Sequence, residues 1–135
     1  MLRVLCSESE LGEYGERLAI GDRVDRVARR DQGGYFGTEL DEIVWRFDRY
    51  AEVGGADPVR ITGTVTAIAA VYVEMTQLGS CTWTAAHGTA HQEPLTTTTG
   101  TRRPVEGVGI HRVEEGDERL AGWLVELEDE RIAPA

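Results

Sequence analysis

The stretch VRITGTVTAIAAVYVEM, residues 59–75, predicts the element around which the rest of the chain is arranged. Every second residue of this stretch is apolar or Gly, and the residues between them include Arg, Thr and Glu. This period of two is typical of a β-strand with one buried face. A straight strand of this length would extend more than about 50 Å, at roughly 3.3 Å per residue, which is unusually long for a globular domain. We therefore expect the strand to bend, with a bulge at Gly63 or within residues 67–70.

Length and composition indicate one soluble domain spanning residues 1–135. A chain of 135 residues can bury about two-thirds of its unfolded surface, and 41% hydrophobic with 28% charged residues is ordinary for a globular protein. No apolar run approaches the roughly 20 residues that span a membrane, and the N-terminus lacks the hydrophobic region of a signal peptide. We expect a cytoplasmic protein that has no membrane partner.

The charge balance restricts the class of partner. Twenty-four acidic residues against fourteen basic ones give a net charge of −10, and every basic residue is Arg. An acidic surface repels phosphate backbones, whereas nucleic-acid binding depends on neutralising them. The two basic concentrations, at residues 26–30 and 102–103, are interpreted as surface ion pairs. The charge therefore disfavours a nucleic-acid ligand and favours a basic protein partner.

Two short segments precede the predicted helix. Residues 2–6 alternate between apolar and other side chains and predict a first strand, whereas the polar residues 7–16 predict a loop. The motif IGDRV, residues 20–24, is typical of the start of the first barrel strand in SH3-like folds. Its Gly allows a tight turn, its Asp caps the turn and its Val begins the buried face.

Residues 38–51 predict one amphipathic helix. Thr38 is a suitable N-cap, and apolar residues follow at the i, i+3, i+4, i+7 spacing of a helix stripe. Trp45 falls outside that stripe, and two interpretations are open. In the first, Trp45 covers the core at the rim and is stacked by Arg49; in the second, it is an anchor for a binding partner, because Trp and Arg are enriched at binding hot spots.

The second half of the chain is less regular. Residues 76–104 show no periodic apolar face and predict a long polar loop, with a hidden hairpin that has Thr-rich edges as the alternative. Residues 105–113 and 120–127 predict a closing hairpin, and residues 128–135 predict a polar tail. A long, bent central strand shared by two halves of a sheet is a way of closing a small barrel. The expected fold is mainly β: a small SH3-like β-barrel of five to seven strands with one amphipathic helix at about 38–51.

The loop 81–91 contains the densest set of metal-ligating residue types. Cys81, His87 and His91 are soft or borderline ligands, the two His have the H-x3-H spacing of zinc sites, and the other Cys or the third His could add a fourth ligand. There is no C-x2-C knuckle, a Gly separates the two His, and no carboxylate lies inside the set. We therefore assign no metal ligand and no cofactor, and keep a metal- or small-molecule-binding loop as an alternative function.

Catalysis has weak support in the sequence. A Cys–His or Ser–His pair can be drawn from the same loop, but a reactive thiolate needs an electropositive setting, and an acidic chain gives no sign of one. Cys6 and Cys81 could form a disulfide, bind metal or stay reduced in the core, and a small cytoplasmic protein favours the reduced state. We assign no catalytic residue and expect a protein that is not an enzyme.

Three strand-type blocks, LAIGDRV at 18–24, ITGTVTAI at 61–68 and AGWLVEL at 121–127, resemble an uncharacterised actinobacterial family catalogued as domain of unknown function 6578. The resemblance covers about a fifth of the chain. It implies a bacterial, cytoplasmic, β-rich single domain and supplies no activity. Members of that family carry a Cys pair near the first strand, whereas this chain has Cys6 alone.

These observations favour a small acidic bacterial protein that acts as a non-enzymatic protein-interaction module. An immunity or antitoxin-like protein is a specific version of that function. The alternatives are the metal- or small-molecule-binding protein described above and a nucleic-acid-linked regulatory protein with a local basic face.

Overall fold

The computed structural model describes residues 1–31, 45–51, 53, 57–80, 82–100 and 114–135. In chain order its elements are β1 (Leu2–Ser7), α1 (Glu8–Gly12), β2 (Arg23–Arg30), β3 (Trp45–Phe47), β4 (Val59–Gln77), β5 (Trp83–Ala85), β6 (His91–Leu95) and β7 (Glu118–Pro134). A 3₁₀ turn at Thr98–Gly100 follows β6. The protein is mainly β, as the sequence predicts. None of the helices described is long and apolar enough to cross a membrane.

The predicted central strand is confirmed as β4. Its core-facing residues alternate as expected, and Ile61, Val65 and Ile68 are all buried. The register between β4 and β7 shifts at three places: between Thr62 and Thr64, between Val65 and Ala67, and between Val71 and Tyr72. The first shift lies at Gly63, where a bulge is predicted. The other two lie on either side of the run 67–70: one has Thr66 of β4 as its extra residue, and the other has Ala121 of β7.

Five strands close into a ring of hydrogen-bonded neighbours. β1 pairs with β3 in parallel and with β7 antiparallel. β7 pairs with β4, β4 with β2 and β2 with β3, all antiparallel, which returns the ring to β3. β5 and β6 lie outside the ring and pair with the second half of β4.

One main core cluster joins all five ring strands. It contains Cys6 from β1, Val24 from β2, Phe47 from β3 and Trp123 from β7, and α1 adds Leu11. A second, smaller cluster of Leu5, Val71 and Leu124 lies on the opposite face of β1, β4 and β7. Neighbouring residues of a strand point to opposite faces, so these strands bury apolar side chains on both.

The IGDRV motif forms the turn that the sequence predicts before β2. Gly21 has a φ of 96°, which other residues rarely adopt, and Asp22 Oδ2 accepts a hydrogen bond from the Ala19 N–H at 2.9 Å. The Gly21 N–H donates to the Val65 carbonyl at 2.8 Å, and the Val65 N–H donates to the Asp22 carbonyl at 2.9 Å. Val24 then begins the buried face of β2. The motif therefore attaches the start of β2 to β4.

The helix predicted over 38–51 is wrong in its second half. Residues 45–47 form β3 and residues 49–51 form a turn, whereas 38–44 lie outside the described residues. β3 is hydrogen-bonded on one side to β1 and on the other to β2, and Phe47 is 1% exposed. Pairing on both sides satisfies the backbone of this short segment, so tertiary context outweighs the helical spacing of its apolar residues.

The loop predicted over residues 7–16 is also wrong, because it contains α1. The helix is short and places Leu11 in the main core at 1% exposure. A single apolar residue among polar neighbours gives no periodic signal. The contact that fixes α1 is therefore tertiary.

The described part of the predicted loop, residues 76–80 and 82–100, contains two strands. β5 turns back onto the end of β4, which is the hairpin alternative, and β6 pairs with β4 at residues 68–72. The polar tail predicted over 128–135 is wrong, since β7 continues to Pro134 and pairs with the first half of β4. Backbone pairing needs no apolar side chains, so hydropathy does not indicate this extension. The predicted partner strand 105–113 lies outside the described residues.

Candidate functional site

Of the predicted metal-ligating residues in the loop 81–91, the structure describes His87 and His91. His87 is exposed in a turn, and His91 begins β6, so their H-x3-H spacing is not on a helix. The His91 ring stacks on Tyr72 with centroids 5.6 Å apart, and its Nε2 lies 3.4 Å from Glu118 Oε2. Within the described ranges no three His, Cys, Asp or Glu side chains form a group that could hold a metal ion.

Of the two cysteines, the structure describes Cys6. Cys81, like His111, lies outside the described residues. Cys6 is a fully buried free thiol in β1, and burial raises its pKa to about 12. A thiol with that pKa stays protonated near neutral pH and does not act as a nucleophile. Cys6 is therefore a core residue, in agreement with the reduced, buried state that the sequence favours.

Trp45 covers the core at the edge of β3. Its side chain is partly buried and packs against the main cluster. The Arg30 guanidinium lies 5.1 Å from the centroid of its ring, so Arg30 takes the stacking position expected of Arg49. This placement agrees with the first of the two interpretations, in which Trp45 covers the core at the rim.

Among the described residues, a cluster of charged side chains joins α1, β2 and the turn after β3. Glu10, Glu16, Arg26 and Arg49 form an alternating set of charges, here named the Arg–Glu cluster. Arg26 Nη2 donates to Glu16 Oε2 at 2.5 Å, and its Nη1 lies 3.8 Å from Glu10 Oε1. Arg49 Nε lies 3.7 Å from Glu10 Oε1, and Arg49 Nη2 donates to Glu16 Oε1. Each guanidinium therefore contacts both carboxylates.

The two carboxylates of the cluster differ in burial. Glu10 is 7% exposed, and it accepts a hydrogen bond from the Arg49 backbone N–H at 3.2 Å. Burial raises the Glu10 pKa, and the Arg49 N–H and the two guanidiniums oppose that rise. The hydrogen bond from Arg49 lowers the Glu16 pKa. Glu16 is therefore the firmly ionised member, whereas the charge of Glu10 is costly to desolvate.

Two exposed tyrosines lie beside the Arg–Glu cluster. Tyr14 and Tyr50 are 62% and 48% exposed, and their hydroxyl oxygens are 3.3 Å apart. The Tyr50 hydroxyl donates to Glu13 Oε1 at 2.7 Å, and hydrogen bonds to Tyr14 and Glu13 raise the Tyr50 pKa. The Arg49 guanidinium lies 4.4 Å from the centroid of the Tyr14 ring. With Val53, which is 87% exposed, the residues Glu13, Tyr14 and Tyr50 are named the tyrosine face.

A groove of about 620 Å³ opens next to the cluster at the start of β2. Its lining includes the buried side chains of Leu18 and Val24 and the exposed side chains of Arg17, Arg23 and Arg60. This volume is in the range of small-molecule sites. Glu10 and Arg49 also line the groove, so the groove and the Arg–Glu cluster share these residues.

Sequence reasoning missed most of these residues. Tyr14 lies in the predicted loop and Tyr50 on the predicted helix stripe, 36 positions apart. Arg26 belongs to a basic run interpreted as surface ion pairs; it does form ion pairs, but its side chain is only 17% exposed. The one local signal is the spacing of Glu10, Glu13 and Glu16, which repeats every three residues.

No family model matches the chain, and neither a curated protein nor a solved structure does. What the protein binds is therefore inferred from the side chains of the Arg–Glu cluster, the tyrosine face and the groove. The tyrosine face offers two ring faces, two hydroxyls and a carboxylate at one exposed position. That combination suits a basic side chain, because cations bind to both aromatic rings and carboxylates.

Proposed function

We propose that the protein is a non-enzymatic interaction module that binds a basic protein segment through its tyrosine face. The observation that carries this proposal is the pair of exposed tyrosines, Tyr14 and Tyr50, whose hydroxyls meet at 3.3 Å. Tyrosine is enriched at binding hot spots, since it supplies a large contact area and loses little conformational entropy.

The Arg–Glu cluster holds the tyrosine face in one arrangement before a partner arrives. Arg49 stacks on Tyr14 and is itself held by Glu10 and Glu16. Tyr50 follows Arg49 directly in the chain, and its backbone N–H donates to Asp48 Oδ1 at 2.9 Å. A pre-organised face loses less entropy on binding, so more of the contact energy contributes to affinity.

Charge complementarity favours a basic partner. The net charge of −10 attracts a cationic segment at long range and increases its association rate. At short range, an Arg or Lys side chain of the partner lies on the exposed ring of Tyr50 and pairs with the Glu13 carboxylate. Glu13 is exposed, so pairing there requires little desolvation.

We also propose that the five-strand ring is a small barrel of SH3-like character. The strand number, the closure of the ring by β2 and β4 and the IGDRV turn support it. SH3 domains bind extended peptides on aromatic surfaces, and the tyrosine face is a surface of that kind. Membership of the actinobacterial family and a cytoplasmic location stay predictions.

The experiment uses two fluorescein-labelled peptides of equal length, one alternating Arg and Gly and the other alternating Glu and Gly. Fluorescence anisotropy measures their binding to the wild-type protein, to the Tyr14→Ala/Tyr50→Ala variant and to Leu78→Ala. Leu78 is 70% exposed in the turn between β4 and β5 and is the matched control. We expect the Arg peptide alone to bind, and the double variant to bind it at least about tenfold more weakly, as removal of hot-spot residues does.

Three results would contradict the proposal. One is equal affinity of the wild-type protein and the double variant for the Arg peptide. Another is equal binding of the Glu peptide and the Arg peptide, because a non-specific surface does not discriminate by charge. A fall in affinity in Leu78→Ala as large as that in the double variant would exclude the tyrosine face as the site.

A further inference from the structure

The groove at the start of β2 is lined by several ionised side chains, most of which pair with other described residues. Arg26 and Arg49 are matched by the two carboxylates of the Arg–Glu cluster, and Arg60 Nε lies 2.8 Å from Asp25 Oδ1. Asp22 accepts a hydrogen bond from a backbone N–H within its own turn. These contacts account for most of the ionised side chains that line the groove.

Among the residues that the structure describes, neither Arg17 nor Arg23 is paired with a carboxylate. The side chain of Arg23 donates to Thr64 Oγ1 at 3.3 Å, and Arg17 makes no ion pair or side-chain hydrogen bond to the residues that the structure describes. Both are exposed and both line the groove. Two accessible guanidiniums without carboxylates are notable in a chain that has ten more acidic than basic residues, twenty-four against fourteen.

We propose that this groove is a binding site for a small oxyanion, a carboxylate or phosphate group, held between Arg17 and Arg23. A guanidinium presents donors in a planar fork that matches the oxygens of either group. The net negative charge of the whole chain repels extended polyanions, so the ligand carries one or two anionic groups instead of a nucleic-acid backbone. The buried side chains of Leu18 and Val24 give the groove an apolar part that a small organic ligand also contacts.

This site goes beyond the proposed protein-interaction function and does not depend on it. The tyrosine face uses exposed rings and a carboxylate to bind a cation, whereas the groove uses guanidiniums to bind an anion. Variants of the two sites therefore test the two proposals independently. Tyr14→Ala/Tyr50→Ala should still bind oxyanions, and Arg17→Gln/Arg23→Gln should still bind the Arg peptide.

The test titrates ¹⁵N-labelled protein with sodium phosphate, with sodium succinate and with sodium chloride at matched ionic strength. We expect the amide signals of Leu18, Gly21 and Val24 to shift saturably with phosphate, succinate or both, and not with chloride. The two oxyanions distinguish a phosphate ligand from a carboxylate ligand. In Arg17→Gln/Arg23→Gln the affinity falls at least about tenfold, as expected when charged hydrogen bonds are removed.

Arg3→Gln/Arg119→Gln is the matched control, because it removes the same charge from β1 and β7. It keeps the affinity of the wild-type protein. A second measurement is the midpoint of thermal unfolding, which phosphate or succinate raises in the wild-type protein and in the control but not in Arg17→Gln/Arg23→Gln. Equal shifts with chloride, or unchanged oxyanion affinity in Arg17→Gln/Arg23→Gln, would overturn the proposal.

Discussion

Gly63 lies at a close approach between the two longest strands, β4 and β7. A Cβ added there would lie 3.1 Å from the Leu127 Cβ, 3.3 Å from the Glu128 carbonyl oxygen and 3.4 Å from the Glu130 Cα. Two of these atoms belong to the backbone of β7, which cannot move without disturbing its pairing with β4. On β7, opposite Gly63, Asp129 has a φ of 52°. The bulge therefore depends on the missing side chain.

We predict that Gly63→Ala destabilises the protein by about 1–3 kcal/mol, the range for forcing an extra methyl group into a packed site. Gly79→Ala is the matched control, since an added Cβ at Gly79 meets nothing within 4 Å. That control changes stability by no more than about 0.5 kcal/mol, as exposed substitutions usually do. Urea unfolding monitored by tryptophan fluorescence measures both. Equal stability of the two variants would show that the contact at Gly63 can relax freely.

At the scale of the element, α1 is held by one apolar contact and one charged cluster. Leu11 reaches the core, while Glu10 and Glu16 connect the α1 segment to Arg26 and Arg49. Glu10 and Arg49 are 39 positions apart, so the cluster joins segments that are distant in the chain. Its two carboxylates have pKa values shifted in opposite directions, which makes their contributions to stability separable by pH.

Glu16→Gln and Glu10→Gln are predicted to change stability with opposite pH dependence. The Glu16 pKa lies below its ordinary value of 4.5 in the folded protein, so Glu16 stabilises above that value and its contribution is lost as pH falls through the lowered pKa. The Glu10 pKa is raised, so the folded state binds that proton more tightly than the unfolded chain and loses stability as pH rises through the raised pKa.

Glu16→Gln should therefore cost about 1 kcal/mol at pH 7, a value limited by solvent screening of a partly exposed pair, and little at pH 3. The stability of Glu10→Gln relative to the wild-type protein should increase between pH 4 and pH 7. Urea unfolding of the three proteins from pH 3 to pH 7 measures both slopes. Parallel slopes for the two variants would mean that the carboxylates do not differ in environment.

Local sequence patterns predicted those elements whose structure depends mainly on their own side chains. β1, the IGDRV turn and β4 were predictable because alternation and turn chemistry lie within each segment. α1 and β3 were not, because Leu11 and Phe47 are buried by residues far away in sequence. The candidate site also depends on contacts between distant segments. No local sequence pattern marks its tyrosines and arginines, and the fold of the chain brings them together.

At the scale of the whole molecule, closure of the ring depends on pairings that local sequence does not encode. The parallel pair of β1 and β3 and the long pair of β4 and β7 both join distant segments. The ring brings β2 and the turn after β3 next to the segment that follows β1, and this arrangement assembles the Arg–Glu cluster. A stable ring is thus a condition for both proposed binding surfaces.

Truncation of the last part of β7 tests whether the stability of the ring depends on the long pairing of β4 with β7. Residues 131–134 pair with residues 59–62 of β4, on the side of β4 opposite to β2. Removing residues 129–135 leaves those backbone groups of β4 without their partners. We predict a loss of at least about 2 kcal/mol in the free energy of unfolding, from several hydrogen bonds of roughly 0.5–1.5 kcal/mol each.

Deletion of Ala135 alone is the control: it removes the hydrogen bond from the Ala135 N–H to the Pro58 carbonyl at 3.2 Å and leaves the pairing of β7 with β4 in place. Urea unfolding compares the two truncated proteins with the full chain, and amide hydrogen exchange at residues 59–62 reports the local effect. Exchange at these amides should accelerate in the longer truncation and stay slow in the control. If both truncations left stability and exchange unchanged, residues 129–135 would behave as the polar tail that hydropathy indicates, and the ring would close through β2 and the remaining part of β7 alone.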